Sequence, residues 1–507
     1  MREAIVSRND STRWFVLATV IFGTFLGRLD QTVVNIALPK IINDFGITVT
    51  SAAWIVTAYI LANAVFVPIW GKLGDTVGRK KIYLIGFIGF IIASGLCAFA
   101  WDLSSMVVFR VVQGFAVSAD YPTAMAIVAV TFTNAKERAQ ALGAWSASFA
   151  VASVFGPLIA GPLIDAFSWR SIFFMNIPLG IIGLVLAIVF INESVGEKRQ
   201  THFDWLGSST LATALFMLTF VLDRGHTWGW LSGMSIACYV GTIVFMGAFI
   251  AIERRESEPI INLDFFKITP FVFTLINTSV VFMAMMGSVL LIPIFSEIFL
   301  GYSATQTGFL FVPMAISLMI AATLGGRLVG KIESRYVIFV GTIIATLGIF
   351  SLTYIDPRSG PLAIMIPMSI LAGGLGLGMA QRTNIIATSV SKNEIGEASA
   401  ILALVRNIAG AFGVAIFSTI LDSVINKNII NVAQSSIINS AAATAQEMHQ
   451  FVGLIILKAE VMGYSSVYFI AAIIMLVGSF TAFFIKIPNE IAHMHVENKR
   501  TKISPTK

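Results

Sequence analysis

The sequence predicts an all-α membrane protein with fourteen transmembrane helices, and three observations lead to this prediction. The 507-residue chain is 57% hydrophobic and only 12% charged, and its mean hydropathy is +0.86. Soluble proteins carry about 25% charged residues, so this composition excludes an ordinary soluble protein. Apolar runs long enough to cross a bilayer follow one another with short connections. The basic residues, finally, are concentrated in alternate connections.

The fourteen predicted spans follow from the apolar runs and the breakers between them. They lie near 14–38, 53–71, 82–100, 104–130, 140–165, 171–192, 205–222, 232–252, 270–298, 305–330, 335–355, 361–389, 396–424 and 464–486. The stretch 425–463 is moderately polar and has apolar residues at helical spacing. We therefore expect an amphipathic helix on the outer surface there.

The distribution of basic residues predicts the orientation. With a cytoplasmic N-terminus, the cytoplasmic segments hold 23 lysines and arginines and the outer loops hold six. Both termini are therefore predicted to be cytoplasmic. This asymmetry also accounts for the net charge of +6, so we predict no nucleic-acid partner. The four remaining basic residues lie inside spans: Arg28, Arg110, Arg382 and Arg406.

Two similar segments of the sequence indicate an internal repeat, which predicts the domain organisation. GKLGDTVGRKK (71–81) follows the second span and GRLVGKIESR (326–335) follows the tenth. Two parallel six-helix repeats would produce this, although any tight cytoplasmic turn favours glycine and arginine. The predicted domains are an N-terminal bundle over 14–192, an inserted helix pair with cytoplasmic joints over 193–269, a C-terminal bundle over 270–486 with 425–463 as an extracytoplasmic loop, and a cytoplasmic tail over 487–507.

Several motifs together resemble one family. GKLGDTVGRKK resembles the signature of the major facilitator superfamily. LDQTVVNIALP (29–39), RVVQGFAVSADYP (110–122), GPLIAGPLID (156–165), WRSIFFMNIPLG (169–180) and RNIAGAFGVAI (406–416) resemble the motifs of its fourteen-helix drug:proton antiporters, the EmrB/QacA-like branch. The resemblance covers residues 14–486 and implies the major facilitator fold, with two six-helix bundles and an inserted pair.

Two of these motifs imply moving parts. The cytoplasmic latch motif consists of Gly71, Asp75, Gly78 and Arg79. A charge latch of this kind holds two helices together in one state and releases them in another, while a purely topogenic turn is the simpler alternative. The antiporter hinge motif consists of Gly156, Pro157, Gly161 and Pro162. These residues remove side chains and backbone donors, which permits a bend and close helix packing.

Asp30 is the main candidate for proton coupling. An ionisable residue in the bilayer interior is costly and usually faces a cavity or a partner. At 1.5 Å per residue, Asp30 lies ~12 Å and Arg110 ~9 Å below the same outer surface. We therefore expect Asp30 and Arg110 to form a cavity-facing pair or to share water, and protonation of Asp30 would then free Arg110.

Arg28 and Asp120 depart from the family pattern. The sequence leaves three interpretations of Asp120 open: a pair with Arg28, a second proton site, or a contact for a cationic substrate.

The residues predicted to line the substrate cavity are Arg28, Asn35, Gln113, Arg406 and Asn407. Arg406 is equally compatible with a helix–helix anchor, and Arg382 is expected to snorkel at the cytoplasmic end. Asp165 and Glu297 are expected at the outer interface.

Enzymatic chemistry finds no support in the sequence. It has no G-x-x-x-x-G-K-[ST] nucleotide loop, and its two cysteines have no ligand partners at metal-binding spacing. We predict a transporter without cofactor or metal, whose partners are a small-molecule substrate, protons and the lipid bilayer.

The leading hypothesis is a proton-coupled exporter of small amphipathic, cationic compounds in the plasma (inner) membrane. The alternatives are a transporter of a specific metabolite or organic anion, and a non-transporting sensor on a transporter scaffold. A periplasmic adaptor stays an open option if the cell has two membranes.

Overall fold

The computed structural model describes residues 10–132, 135–194, 204–256, 261–390, 395–435 and 445–485, and these residues are almost entirely helical. The first half contains α1 (Asp10–Phe45), α2 (Val49–Val77), α3 (Arg79–Ala98), α4 (Leu103–Val117), α5 (Asp120–Thr131), α6 (Ala135–Ala166) and α7 (Ser171–Phe190). Next come α8 (Trp205–Trp228) and α9 (Gly233–Glu253). The second half contains α10 (Thr269–Ile298), α11 (Ala304–Leu328), α12 (Ser334–Ser351), α13 (Leu362–Thr388), α14 (Ile395–Ser435) and α15 (Ala445–Phe480).

The two halves repeat one packing scheme. In the first half α1 packs on α6, α2 on α4, and α3 on both α4 and α7. In the second half α10 packs on α14, α11 on α13, and α12 on both α13 and α15. The halves meet mainly through α6 against α11 and α2 against α14. The helices α8 and α9 pack on each other, and α8 also contacts α14 and α2.

Within the described residues, twelve helical segments are long and apolar enough to cross a membrane. The two predicted spans outside this set fall on α6 and α8, whose described residues include the apolar stretches Phe155–Ala166 and Leu206–Leu222. The predicted number of fourteen therefore stays a prediction. The protein is an all-helical, multi-pass membrane protein.

The predicted span 104–130 is interrupted, and Pro122 provides the reason. The helix α4 ends at Val117 and α5 begins at Asp120. Proline has no N–H, so Pro122 cannot bond to the carbonyl group of Ser118, four residues earlier. The break places Asp120 in the first turn of a helix, where a negative charge is favoured by the helix dipole.

The stretch 425–463 does not form a separate amphipathic helix in its described part, while its extracytoplasmic position stays a prediction. The helix α14 continues to Ser435 and α15 begins at Ala445, so most of this stretch extends two transmembrane helices. Its apolar residues have helical spacing because they belong to these extensions. Residues 436–444 and the predicted tail 487–507 lie outside the described residues.

Candidate functional site

Asp30 lies at the centre of a buried polar cluster. Its Oδ2 accepts a hydrogen bond from Arg110 Nη1 at 2.8 Å. Its Oδ1 accepts from Gln113 Nε2 at 3.0 Å and from Asn176 Nδ2 at 2.6 Å. The exposed fraction is 0% for Asp30 and 1% for Arg110. Helices α1, α4 and α7 thus meet at one carboxylate.

A second layer of contacts orients this cluster. Arg110 Nη1 also donates to Gln113 Oε1 at 2.6 Å, and Arg110 Nε donates to the Ile55 carbonyl at 3.1 Å. The Arg110 guanidinium lies 3.9 Å from the centroid of the Tyr59 ring. Gln113 Nε2 donates to Ser94 Oγ at 2.8 Å. A buried ion pair persists only when its remaining polar atoms are satisfied in this way.

The expected contact between Asp30 and Arg110 is present, but the expectation that the pair faces the cavity is wrong. Both side chains are enclosed within the first bundle, and Gln113 is enclosed with them. The depth estimate located the two residues along their helices and gave no direction around the helix axes. Sequence reasoning missed Asn176 and Ser94. The signal for Asn176 was an amide within the otherwise apolar α7, where polar side chains commonly bridge helices.

Asp120 has a different environment at the break between α4 and α5. Its Oδ2 accepts a hydrogen bond from Thr24 Oγ1 at 2.7 Å. Thr24 Oγ1 in turn accepts from the indole Nε1 of Trp145 at 2.8 Å. The other oxygen, Oδ1, is buried and has no hydrogen-bond partner among the described residues. The buried hydroxyl of Tyr83 is the neighbouring donor for Asp120.

A polar cavity separates the two halves at this level. It is narrow and partly open to solvent, and its walls include Arg28, Gln31, Asn63, Asp120, Tyr121 and Asn407. Arg28 Nη1 donates to Gln31 Oε1 at 3.1 Å, and Asn407 Nδ2 contacts Asn63 Oδ1 at 3.4 Å across the two halves. Arg28 and Asp120 thus share one cavity, while a direct pair between them stays a prediction.

Two other predicted cavity residues lie outside this wall. Asn35 is half-buried on α1, with its Oδ1 buried and without a partner among the described residues. The guanidinium of Arg406 lies 5.1 Å from the Phe282 ring centroid. The contact with Phe282 fits the helix–helix anchor that the sequence left open for Arg406.

Arg382 is buried instead of snorkelling to the interface. Only 3% of it is exposed. Its Nε donates to Asn277 Oδ1 at 2.9 Å, and its Nη2 donates to Thr342 Oγ1 at 3.3 Å. The expectation was wrong because these polar partners on α10 and α12 are distant in the sequence.

The hinge motif closes one end of the cleft between the halves. An added Cβ at Gly161 would overlap the backbone of Thr305 on α11. An added Cβ at Gly308 of α11 would likewise overlap the backbone carbonyl of Pro157. Gly156 packs on Thr32 of α1. Pro157 and Pro162 both lie inside α6.

Charged residues reinforce this closed end. The Asp165 carboxylate accepts hydrogen bonds from the backbone N–H groups of Ala304 and Thr305 at 3.1 and 2.9 Å. A carboxylate at a helix N-terminus is favoured by the unpaired N–H groups and the dipole. Lys40 Nζ lies 3.9 Å from Glu297 Oε2. Asp165 and Glu297 therefore connect the halves as well as lying near a helix end.

The latch motif lies at the C-terminal end of α2 and the start of α3. Gly71 approaches Pro122 of α5. Gly78 has φ = +127°, a conformation that side chains rarely adopt, and the Glu193 carboxylate occupies the space where a Cβ would be. The position of the Asp75 side chain lies outside the described part of the chain.

Glu193 is a latch-region residue that the sequence analysis missed. Its carboxylate accepts from the backbone N–H groups of Lys80 and Lys81, each at 3.1 Å. The adjacent Arg79 N–H donates to the Ser194 carbonyl at 3.0 Å. The segment that follows α7 thus caps the N-terminus of α3 and fixes the turn at Gly78.

Two packed helical halves around a cavity, with a buried carboxylate–guanidinium pair beside it, are typical of a secondary membrane transporter. The Major Facilitator Superfamily profile matches residues 20–414. The chain belongs to this superfamily, and it is a multi-pass plasma-membrane transporter and not an enzyme.

Individual relatives and solved structures agree with this assignment. Multidrug transporter protein MdtP of Bacillus subtilis (strain 168) is 32% identical over 419 residues, which are 82% of this chain and 76% of that protein. Multidrug resistance protein Stp of Mycobacterium tuberculosis (strain CDC 1551 / Oshkosh) is 32% identical over 410 residues, 81% of this chain and 76% of that protein. The fold is similar to an inward-facing, unoccupied bacterial homolog of the human lysosomal transporter Spinster, with a TM-score of 0.64, 15% identity, and coverage of 95% of this chain and 99% of that one.

Proposed function

We propose that this protein exports small amphipathic, cationic drugs in exchange for protons, by alternating access of the cavity between its two halves. The multidrug transporters among its relatives support export of drugs. The observation that carries proton coupling is the buried contact between Asp30 and Arg110, because intramembrane carboxylates commonly serve as proton carriers.

The proposed coupling works through the buried cluster. When a proton neutralises Asp30, Arg110 loses its counter-ion in a site without water access. Breaking a buried pair in this way costs about 3–5 kcal/mol. The helices α1, α4 and α7, which contribute the partners of Asp30, therefore rearrange together. Exchange of substrate for proton requires such a link between protonation and helix packing.

The topology belongs to this proposal as well. With α6 and α8 counted as spans, the protein has fourteen transmembrane helices and cytoplasmic termini. The closed end at Asp165 and Thr305 is then the outer end, and the cavity receives substrate from the cytoplasm. The chain would work with the bilayer and protons, and a periplasmic adaptor is compatible with its outer face in a two-membrane cell.

Asp30→Asn in proteoliposomes tests the proposal. Wild-type protein with a lumenal pH dye should move protons when lipophilic cations are added. Asp30→Asn should abolish this signal, because the amide cannot carry the proton. Asp102→Asn is the matched control, since Asp102 caps α4 in an outer connection and asparagine caps equally well. Proton movement that persists in Asp30→Asn would contradict the role of Asp30.

Export of an organic anion is the second candidate. It is favoured by Arg28, whose side chain lines the cavity directly. The same vesicles, challenged with organic anions, separate the candidates. A response to anions alone would replace the cationic substrate class with an anionic one. Binding without any proton-coupled flux would instead favour a sensor.

A further inference from the structure

An apolar groove runs along the second half of the protein, with α11 on one side, α12 on the other and α13 as its floor. Ile316, Ile320 and Leu324 of α11 form one wall, and Ile344 of α12 belongs to the other. The three α11 residues are four positions apart, so they lie on one face of the helix. The groove is open along one side, and this part of it has room for about 560 Å³.

The groove faces the bilayer. The helices α11, α12 and α13 are all long and apolar enough to cross a membrane. The helix α12 packs on α13 and α15 of its own half, so a groove between α11 and α12 opens away from the first half. Ile316, Ile320 and Leu324 are 43%, 54% and 47% exposed. The medium that covers these side chains is therefore the hydrocarbon of the membrane.

The polar groups at the floor of the groove are bonded within the protein. Ser317 Oγ donates to the carbonyl of Ser369 at 2.6 Å, and Ser369 Oγ donates to the carbonyl of Met365 at 2.7 Å. Hydroxyl groups at membrane depth require such internal partners because lipid tails offer none. An added Cβ at Gly373 would lie 2.9 Å from Ser317 Oγ, so small groups alone fit where α11 and α13 cross. A floor of this kind favours a hydrocarbon ligand.

The length of the groove matches one leaflet of the bilayer. Its lining on α13 extends from Leu362, the first residue of the helix, to Leu377. At 1.5 Å per residue this is about 22 Å, while one leaflet supplies about half of the ~30 Å hydrocarbon core. The groove therefore begins at a helix end, near the membrane surface, and runs through one leaflet. Four residues line both of its parts and make it continuous: Pro313, Ser317, Ile344 and Gly373.

We propose that this groove is a binding site for one acyl chain of a bilayer phospholipid, whose headgroup remains at the membrane surface beside Leu362. Inside the groove the chain contacts α11, α12 and α13 at once, whereas a chain on a convex helix surface contacts protein on one side only. Because dispersion attraction sums over all these contacts, the chain in the groove exchanges more slowly than the surrounding lipid. The inference concerns a lipid partner and does not depend on the exported compound.

Photolabelling in proteoliposomes tests the site. The full-length protein is reconstituted with phosphatidylcholine that carries a diazirine in one acyl chain, and the adducts are located by mass spectrometry after illumination. Ile243 of α9, which is 72% exposed, reports contact with bulk lipid. Residues of the groove should carry about fivefold more adduct than Ile243, because the bound chain stays beside them. Equal labelling would overturn the proposal.

Ile344→Trp and Ile320→Trp fill the groove from its two walls. Each should lower the adducts in the groove by about five- to tenfold and leave those at Ile243 unchanged, because the indole occupies the space of the chain. Leu347→Trp and Met319→Trp are the matched controls, since these residues lie on the same two helices, are exposed and lie outside the groove. They should be labelled as wild type is. Size-exclusion chromatography checks that every variant is folded.

Other occupants of the groove would give different results. Unchanged adducts in both Ile344→Trp and Ile320→Trp would overturn the site. A disulfide-linked dimer of Ile320→Cys, made in a background without Cys238, together with no lipid adducts in the groove, would assign the groove to a second copy of the chain. Loss of the adducts on addition of tetraphenylphosphonium would assign it to a transported cation. Lipid labelling is measured without transport, so a failure of the proposed drug–proton exchange leaves this inference standing.

Discussion

Asp30 and Asp120 belong to the same half of the protein, but their surroundings suit them to different tasks. The carboxylate of Asp30 is enclosed by donors from α4 and α7. Asp120 borders the polar cavity, accepts from Thr24 and lies beside the buried Tyr83 hydroxyl. Protonation of Asp30 would therefore disturb the packing of three helices, whereas protonation of Asp120 would change the charge of a cavity wall.

Asn176→Leu tests the structural contribution of the amide at Asp30. The substitution keeps the number and branching of the side-chain heavy atoms, in a somewhat larger volume, but leaves a buried carboxylate oxygen without one donor. We expect the free energy of unfolding to fall by about 1–3 kcal/mol, measured by thermal or denaturant unfolding in detergent. Because the loss depends on the carboxylate, the same substitution in an Asp30→Asn background should cost less. Equal costs in both backgrounds would contradict the contact.

The residues of the Asp30 cluster show how far sequence reasoning reaches. Asp30 and Arg110 were identifiable because charges in apolar spans are rare, and their depths agreed along the helices. Asn176 and Ser94 were missed because a single amide or hydroxyl in a span has many roles. Which face of a helix meets the cavity depends on packing between distant segments, so Gln113 was assigned to the wrong environment.

At the scale of elements, α6 and α11 form the contact that closes one end of the cleft. Gly161 meets the backbone of Thr305, and Asp165 caps the first turn of α11. The sequence identified the motif in α6, but its partner lies about 140 residues away and could not be recognised from local patterns. The close backbone approach explains why the motif needs glycine at this position.

Gly161→Leu should favour the state in which this end is open, because the leucine side chain would overlap Thr305 in the closed state. The distance between spin labels at positions 167 and 309, near the ends of α6 and α11 that meet at Thr305, should increase. Cys238 is replaced beforehand, and the buried Cys97 is left in place.

Gly247→Leu provides the control for this substitution, since an added Cβ at Gly247 of α9 meets nothing within 4 Å. It should leave the distance distribution unchanged. An unchanged distribution in Gly161→Leu would show that the α6–α11 contact does not determine closure of this end.

At the scale of the whole molecule, the two halves share one packing scheme despite limited similarity in sequence. The pairs α1–α6, α2–α4 and α3–α7 correspond in order to α10–α14, α11–α13 and α12–α15. The sequence predicted two repeated bundles from one echoed turn and the number of spans. It did not predict which helices α8 contacts, because the apolar residues of α8 could pack against many different partners.

Cysteine accessibility tests the proposed fourteen-helix topology. A membrane-impermeant maleimide added to whole cells should label Leu231→Cys, between α8 and α9, because this residue is exposed and faces outward in that topology. Arg254→Cys, at the end of α9, should be labelled only after the cells are permeabilised. Equal labelling of both positions in intact cells would show that α9 does not cross the membrane.

The lengths of α14 and α15 have a practical consequence for imaging. These helices contain 41 and 36 residues, so they exceed a ~30 Å hydrocarbon core by roughly 20–30 Å. A 54.8 kDa protein that lies largely inside a detergent micelle gives single-particle electron microscopy little by which to align its images. The ends of α14 and α15 offer an epitope for an antibody fragment, which would add a feature for alignment.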